Sequence, residues 1–318
     1  MRTANIQLQI ALGWTRSRIL PTSPELIMTE PVGPAIARLR LHTHLRELRE
    51  SQGHSASAVA KKMRWSQSKL NRIENGVVTI QPIEVKALLE LYDVRDSTEV
   101  ERLMDLSEIS RERRWWREEK LSQEFKDFVA FESEASGLYG YFALFIPGLL
   151  QTPQYAKALS SPAIKEAVAD TTGMNLTEVR RKRQETLFDR LDGARPPTVN
   201  MAIDEAVLLR PVGGYEVMAA QLDHLLAVSK RPTVKLTVVP LELGAHGGLG
   251  GTFELLEFAG SHDDDVVFIE TPADDFLLTD KTKTETFRKI MEDLLSSGMS
   301  GTHAAEEISQ ARRRLRKG

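Results

Sequence analysis

The sequence predicts a multi-domain chain, with an N-terminal all-α domain of five helices followed by a C-terminal mixed α/β domain. Three observations lead there. From residue 36 to about 94, apolar residues recur at helical spacing. Beyond about residue 125, three β-rich runs, "TVKLTVVPL", "GGTFELLEF" and "DDVVFIET", alternate with amphipathic stretches. The charge also divides. The chain carries a net −3 over 318 residues, yet residues 36–95 hold 11 Lys/Arg against 6 Asp/Glu and residues 96–318 hold 28 against 37. A basic segment joined to an acidic body suits a module that binds a polyanion.

The ends and the composition set bounds. Residues 1–35 carry 3 basic and 2 acidic side chains and read as a tail. A second methionine, Met28, makes residues 1–27 a candidate mis-called start with little packed structure. "MRTANIQLQIALGW" is a poor signal peptide, because Asn5, Gln7 and Gln9 break its apolar part. With no apolar run of about 18 residues, no membrane span is expected. The chain has no cysteine, which excludes disulfides, thiol nucleophiles and cysteine-ligated metals and fits the cytoplasm.

The first helix, "ARLRLHTHLRELRES", aligns Leu41, Leu45 and Leu48 on one face and ends at Gly53. Ser55 caps the second, "SASAVAKKM", with Ala56, Val59, Ala60 and Met63 inward. The third lies in "RWSQSKLNRIENG", residues 64–76. Ser66 is its N-cap, Trp65 and Leu70 form a hydrophobic staple, and Asn75-Gly76 supply a left-handed stop. The fourth, "PIEVKALLELYDV", starts near Pro82 and buries Val85, Leu88, Leu89 and Tyr92. Ser97 caps a long fifth helix that runs through "SRERRWWREEK" toward the second domain. Accordingly, residues 36–108 form the first domain, 109–124 a helical linker, 125–300 the α/β domain and 301–318 a basic terminal helix.

In the third helix Leu70 and Ile73 face inward, leaving Gln67, Ser68, Asn71 and Arg72 together on the open face. With the helix before it, this makes a helix-turn-helix. A polar helix face is more often merely solvated. Here the cap, the staple, the stop and the local excess of cations favour a face that reads base edges. Gln suits adenine, Arg pairs bidentately with guanine, and Ser suits either. Lys61, Lys62, Arg64, Lys69 and the Ser66 cap lie where phosphates would pass.

Residues 41–93, through "LRELRESQGHSASAVAKKM" and "SQSKLNRIENG", resemble the DNA-binding domain of the xenobiotic-response-element (XRE) family, to which phage repressors belong. The resemblance implies a lambda-repressor-like fold, with Ser66–Glu74 as recognition helix. Gln67, Ser68 and Arg72 would contact bases, with Lys69 and Asn71 beside them. It also implies a homodimer on double-stranded DNA with half-sites about one helical turn apart. Two positions depart from the family pattern. Ala56 stands where many members have a phosphate-contacting Gln, and Arg64 stands where the turn often has Gly.

In the larger domain, "IPGLLQTPQYAKAL", "VNMAIDEAVLLRPVGG", "MAAQLDHLL", "VKLTVVPLELGAHGGLGGTFELLEF" and "DDVVFIE" resemble a domain of unknown function. It follows such a helix-turn-helix in many actinobacterial regulators grouped with toxin–antitoxin-like systems, many beside a gene for a small protein. The resemblance spans roughly residues 115–300. It implies a domain for sensing a small-molecule effector, for dimerisation or for binding a partner. The alternative reading is an antitoxin-like regulator that grips a small partner protein and binds DNA to regulate itself.

No catalytic set, cofactor site or metal site stands out by spacing, and no enzyme activity is expected. "GAHGGLGG", with His246, lacks the Walker lysine and reads as a hairpin connection or pocket rim. Asp204 and Glu205 are neighbours in a strand, so they point apart and serve structural hydrogen bonds. "SHDDD" (His262 to Asp265) reads as a solvated turn, the Trp115–Trp116 pair as packing, "LYGYFALFIPGLL" as core, and "RRRLRK" as a solvated helix end.

Overall fold

Apolar residues at helical spacing fold the first part of the chain into five helices around one core. In the computed structural model, which describes residues 32–112, 115–159, 176–260, 265–271 and 274–315, these are α1 (Pro34–Ser51), α2 (Ala56–Lys62), α3 (Gln67–Glu74), α4 (Pro82–Leu91) and α5 (Ser97–Ile109). The readings for residues 1–27, Arg113–Arg114, residues 262–264 and residues 316–318 lie outside the described residues. Leu41, Leu45, Val59, Ala60, Leu70, Ile73, Val85, Leu88, Leu89 and Tyr92 are all buried in the shared core.

Four helix ends stop in the same way. Gly53, Arg64, Gly76 and Asp93 each take positive φ, at 66°, 56°, 69° and 55°. Each N–H reaches back to a carbonyl three residues earlier, and the next residue's N–H reaches back five. This pair of hydrogen bonds satisfies carbonyls in the last turns of α1, α2, α3 and α4 and turns the chain sharply. The long fifth helix predicted from the sequence is cut short. Asp96, rather than Ser97, caps it by accepting from the Thr98 N–H at 2.9 Å. The helix ends at Ile109, where the buried Ser110 hydroxyl donates to the Ser107 carbonyl and closes the last turn. The linker is therefore no continuous helix; a 3-10 turn occupies Trp115–Glu118.

The second part is a three-layer α/β structure. Its sheet comprises β1 (Gly137–Phe142), β2 (Thr198–Asp204), β3 (Val234–Val239), β4 (Phe253–Glu257), β5 (Val266–Glu270), β6 (Asp275–Leu278) and β7 (Met299–Ser300), in the order β6-β5-β4-β1-β2-β3-β7. β1, β2 and β3 are parallel and the other pairings antiparallel. The helices are α6 (Gln123–Glu134), α7 (Pro153–Leu159), α8 (Leu176–Leu191), α9 (Glu205–Leu209), α10 (Tyr215–Val228), α11 (Lys281–Ser297) and α12 (Gly301–Leu315). Strand alternation sends Leu138, Phe142, Val199, Met201, Ile203, Leu236 and Val238 to the face covered by α6, α8, α10 and α12. Tyr141, Ala202, Val239, Phe253 and Leu255 go to the face covered by α11. The basic terminal helix packs into this core through Ala304, Ile308, Ala311 and Leu315.

The glycine-rich stretch is not a hairpin. β2 and β1 lie between β3 and β4 in the sheet, so the chain crosses over them. β3's outer edge is taken by β7, which leaves β1's outer edge for β4. The crossing uses two 3-10 turns, Leu241–Leu243 and Gly247–Gly250. Gly248 lies so close to Tyr141 that a Cβ there would meet the ring at 2.6 Å.

Helix α1 serves both parts. Its Ala37, Leu41 and Leu45 belong to the five-helix core, while Ala35 and Ile36 are buried in the core of the α/β layer. Gly33 offers no side chain to cap it. Instead the Glu134 carboxylate, at the end of α6, accepts from the N–H groups of Ala35 at 2.9 Å and Ile36 at 3.0 Å. Arg38 pairs with Asp127, and Arg40 donates to the Ala259 carbonyl at 3.0 Å.

Candidate nucleic-acid interface

Helix α3 has eight residues, too few to hold its shape alone in water. Its start, its end and its back are each secured. At the start, Ser66 Oγ accepts from the Lys69 N–H at 3.1 Å, as a good N-cap does. At the end, Gly76 N–H bonds to the Ile73 carbonyl at 2.9 Å and Val77 N–H to the Arg72 carbonyl at 2.9 Å. Behind, Leu70 and Ile73 are fully buried, each worth roughly 1.5–3 kcal/mol of burial.

A buried ion pair adds a fourth restraint. Arg49, near the end of α1, grips Glu74 through two bonds, Nε to Oε1 at 2.7 Å and Nη2 to Oε2 at 2.9 Å. Its Nη1 also donates to the His54 carbonyl at 3.0 Å. The Glu74 bond holds the guanidinium proton more firmly than usual, outweighing desolvation. Such fork-to-fork pairing fixes orientation as well as distance. The sequence reading missed this pair, since 25 residues separate its members and neither has a local signal.

With its back fixed, α3 turns Gln67, Ser68, Asn71 and Arg72 outward together, all exposed. Ser66, Lys61, Lys62 and Arg64 are exposed at its flank and in the turn before it. Arg64 holds φ at 56°, a conformation glycine takes without strain; for a residue with a Cβ this costs roughly 1–2 kcal/mol. It therefore keeps a cation in the turn at some expense of stability. Lys69 is placed differently. Its Nζ lies 2.5 Å from a Glu84 oxygen on α4 and 4.2 Å over the Trp65 ring, so its charge is already engaged.

Several of the other singled-out residues meet at one end of the sheet, each engaged in bonds that hold its loops. Asp204 accepts from the Tyr141 hydroxyl at 3.0 Å and caps α9 through the Ala206 N–H at 2.9 Å. Glu205 accepts from the Leu241 N–H at 3.1 Å. His246 Nδ1 accepts from the Gly248 N–H at 3.2 Å, with its ring edge-on to Tyr141. These groups join the loops at one end of the sheet. Trp116 is buried and edge-on to Trp115, in the packing role expected. Asp265, the described member of "SHDDD", is buried and pairs with Arg288. Under the sheet, the buried Arg183 donates two bonds to the Glu132 carboxylate, 2.7 and 2.6 Å long. Burial pushes the nearby Glu254 carboxyl up, opposed by the Arg183 charge.

Comparison with known families matches a helix-turn-helix domain at residues 40–103 and a domain of unknown function, DUF5753, at residues 125–310. No curated protein and no solved structure matches the chain. No helix among the described residues is long and apolar enough to cross a membrane. The helix-turn-helix match and the α2–α3 geometry coincide on the same residues, which supports a DNA-binding regulator. The second match covers more than half of the sequence, and the chain belongs to the DUF5753 family, carrying that domain behind an N-terminal helix-turn-helix.

Proposed function

We propose that this chain is a cytoplasmic, sequence-specific transcriptional regulator that reads the major groove with α3, as a homodimer on paired half-sites. The observation that carries this is the outward set Gln67, Ser68, Asn71 and Arg72 on a helix held from behind by Leu70, Ile73 and the Arg49–Glu74 pair. Arg72 and Gln67 supply bidentate base contacts, while Ser68 and Asn71 add adaptable ones. Lys61, Lys62, Arg64 and the Ser66 hydroxyl contact phosphates. Lys69 joins them only by leaving Glu84.

In this reading residues 36–108 bind DNA and residues 125–300 regulate that binding. The bonds from Glu134, Asp127 and the Ala259 carbonyl to α1 support the second half. A change in the larger domain is passed directly to the first helix of the smaller one.

The test is selection from a random duplex library at about 150 mM salt, where non-specific phosphate binding is weak. Wild type, Arg72→Ala and Lys61→Ala run side by side. Arg72→Ala is expected to lose about 1–3 kcal/mol on the selected site and to relax one base position. Lys61→Ala is expected to weaken all sequences alike and to flatten the salt slope by about one. Equal losses on selected and random DNA for both variants would sink the assignment of α3 as the reading helix.

A further inference from the structure

The described residues expose eight large apolar side chains: Val77, Ile83, Leu144, Leu209, Tyr215, Leu241, Leu249 and Phe276. Five of these, Leu144 to Leu249 in that order, come from loops, short helices and the first turn of α10 at one end of the sheet. Leu144 follows β1, Leu209 and Tyr215 follow β2, and Leu241 and Leu249 lie between β3 and β4. This is the carboxyl end of the three parallel strands, where open α/β sheets place their binding sites.

These loops are fastened to one another. Arg210 Nη1 donates to the Leu144 carbonyl at 2.7 Å, joining the β1 and β2 loops. Glu205 accepts from the Leu241 N–H at 3.1 Å, joining the β2 and β3 loops. Ala143 N–H donates to the Thr252 hydroxyl at 3.2 Å, and Gly248 rests on the Tyr141 ring, joining the crossover to β1. Yet Leu144, Leu241 and Leu249 are 55%, 55% and 66% exposed. Leucines held open to water by a loop cluster fixed with hydrogen bonds are the feature on which an interaction surface is proposed.

The surrounding charge selects the occupant. Glu205 bonds the Leu241 N–H, Glu242 follows Leu241 and Glu216 follows Tyr215, against Arg210 in the same segments; on α11, which meets the crossover through Ile290, Lys289 is paired with Glu285. A second copy docking the same surface face to face would set acidic rim against acidic rim. We propose that this end of the sheet docks a polypeptide partner, through a segment with an apolar face flanked by lysine or arginine. The proposal extends the reading of the larger domain as a regulator and does not depend on which residues of α3 touch bases.

The probe is a fluorescein-labelled amphipathic helix of leucine and lysine, about 15 residues long, with a leucine–glutamate helix as its counterpart. Anisotropy is read on the full chain at about 150 mM salt. The wild type should bind the lysine helix at least tenfold more tightly than the glutamate helix. The triple variant Leu144→Ser, Leu241→Ser, Leu249→Ser should lose at least tenfold, and Ile83→Ser, on the helix-turn-helix side, should lose nothing. Glu216→Lys with Glu242→Lys should weaken the lysine helix and strengthen the glutamate one. All of these side chains but that of Ile83 lie outside the DNA-reading part, so retained DNA binding by the triple variant separates this proposal from the α3 assignment. No binding, binding indifferent to the triple variant, or equal binding of the two helices would overturn it. So would a concentration-dependent dimer that the triple variant abolishes, since the occupant would then be a second copy.

Discussion

The carboxylate of Glu134, at the last turn of α6, caps a helix nearly one hundred residues upstream, accepting from the N–H of Ile36 at 3.0 Å and of Ala35 at 2.9 Å. The first helix of the DNA-binding part thus takes its N-cap from the other part. A negative group at a helix N-terminus also meets the positive end of the helix dipole. Gly33 makes room for this, because a Cβ there would stand 2.1 Å from the Glu134 carboxyl carbon. Glu134→Ala should therefore destabilise the chain by about 1–2 kcal/mol, the range for a lost cap. Gly33→Ala should do the same by displacing the carboxylate. Urea unfolding of both variants checks this; values indistinguishable from wild type would mean the cap does not couple the two parts.

The Arg49–Glu74 pair makes a stronger demand on the fold. Both side chains are nearly inaccessible, at 11% and 6% exposure. Removing Glu74 leaves the Arg49 guanidinium with only Glu50, at 3.0 Å, and the His54 carbonyl as partners, and Glu74→Ala should cost about 1–3 kcal/mol. The double change Arg49→Met with Glu74→Leu leaves no orphan charge and should recover most of that loss. Thermal melts of the three variants give the comparison. If Glu74→Ala melted like wild type, the pair could not be what fixes the back of α3.

Legibility in the sequence followed the range of the interactions. The caps at Ser55 and Ser66, the stop at Gly76 and the buried stripe of α4 rest on residues within a few positions of each other, and each was readable. The outward set of α3 follows from the same local spacing. β1 was not readable as a strand, because "GLYGYF" carries two glycines and is buried on both faces, so it shows no alternation of apolar and polar residues. The hairpin reading of "GAHGGLGG" failed because strand order is set by which edges are free, here β1's and not β3's. Contacts such as Glu134 with Ile36 or Arg49 with Glu74 join positions with no pattern between them, and only the fold brings them together.

In the proposed function, Arg64 sets DNA affinity against stability. It occupies a left-handed position that glycine adopts freely, with φ at 56°. Arg64→Gly should relieve roughly 1–2 kcal/mol of backbone strain, partly offset by the greater freedom of glycine in the unfolded chain, at about 0.4–1 kcal/mol. The net expectation is a gain of between about 0 and 1.6 kcal/mol in stability. The same change removes a cation from the turn, so binding to any duplex should weaken and its salt slope should fall by about one. Melting temperature and salt-titrated binding, measured together, test both halves. A variant that loses stability would mean the turn is shaped around the arginine side chain.

His42 gives the DNA-binding part an acid limit. It sits in α1 at 2% exposure, and neither ring nitrogen has a hydrogen-bond partner. Its Cδ2 lies beneath Gly76, the stop of α3, 3.6 Å from where a Cβ would be. Burial, helped by the charge of Arg38, lowers its pKa from 6.5 to about 4. The native state therefore keeps the ring neutral where the unfolded chain already binds a proton. Stability contributed by this site is complete above pH 6.5, declines as pH falls toward 4, and levels off below that. The full span is on the order of 3 kcal/mol. His42→Leu removes the titrating group and the two unsatisfied nitrogens while keeping most of the volume. Across pH 4 to 6.5 the wild type should lose stability relative to His42→Leu, whereas above pH 7 the difference between them should be constant. Parallel pH profiles would show that the ring is hydrated or bonded in the folded protein, and the acid limit would have to lie elsewhere.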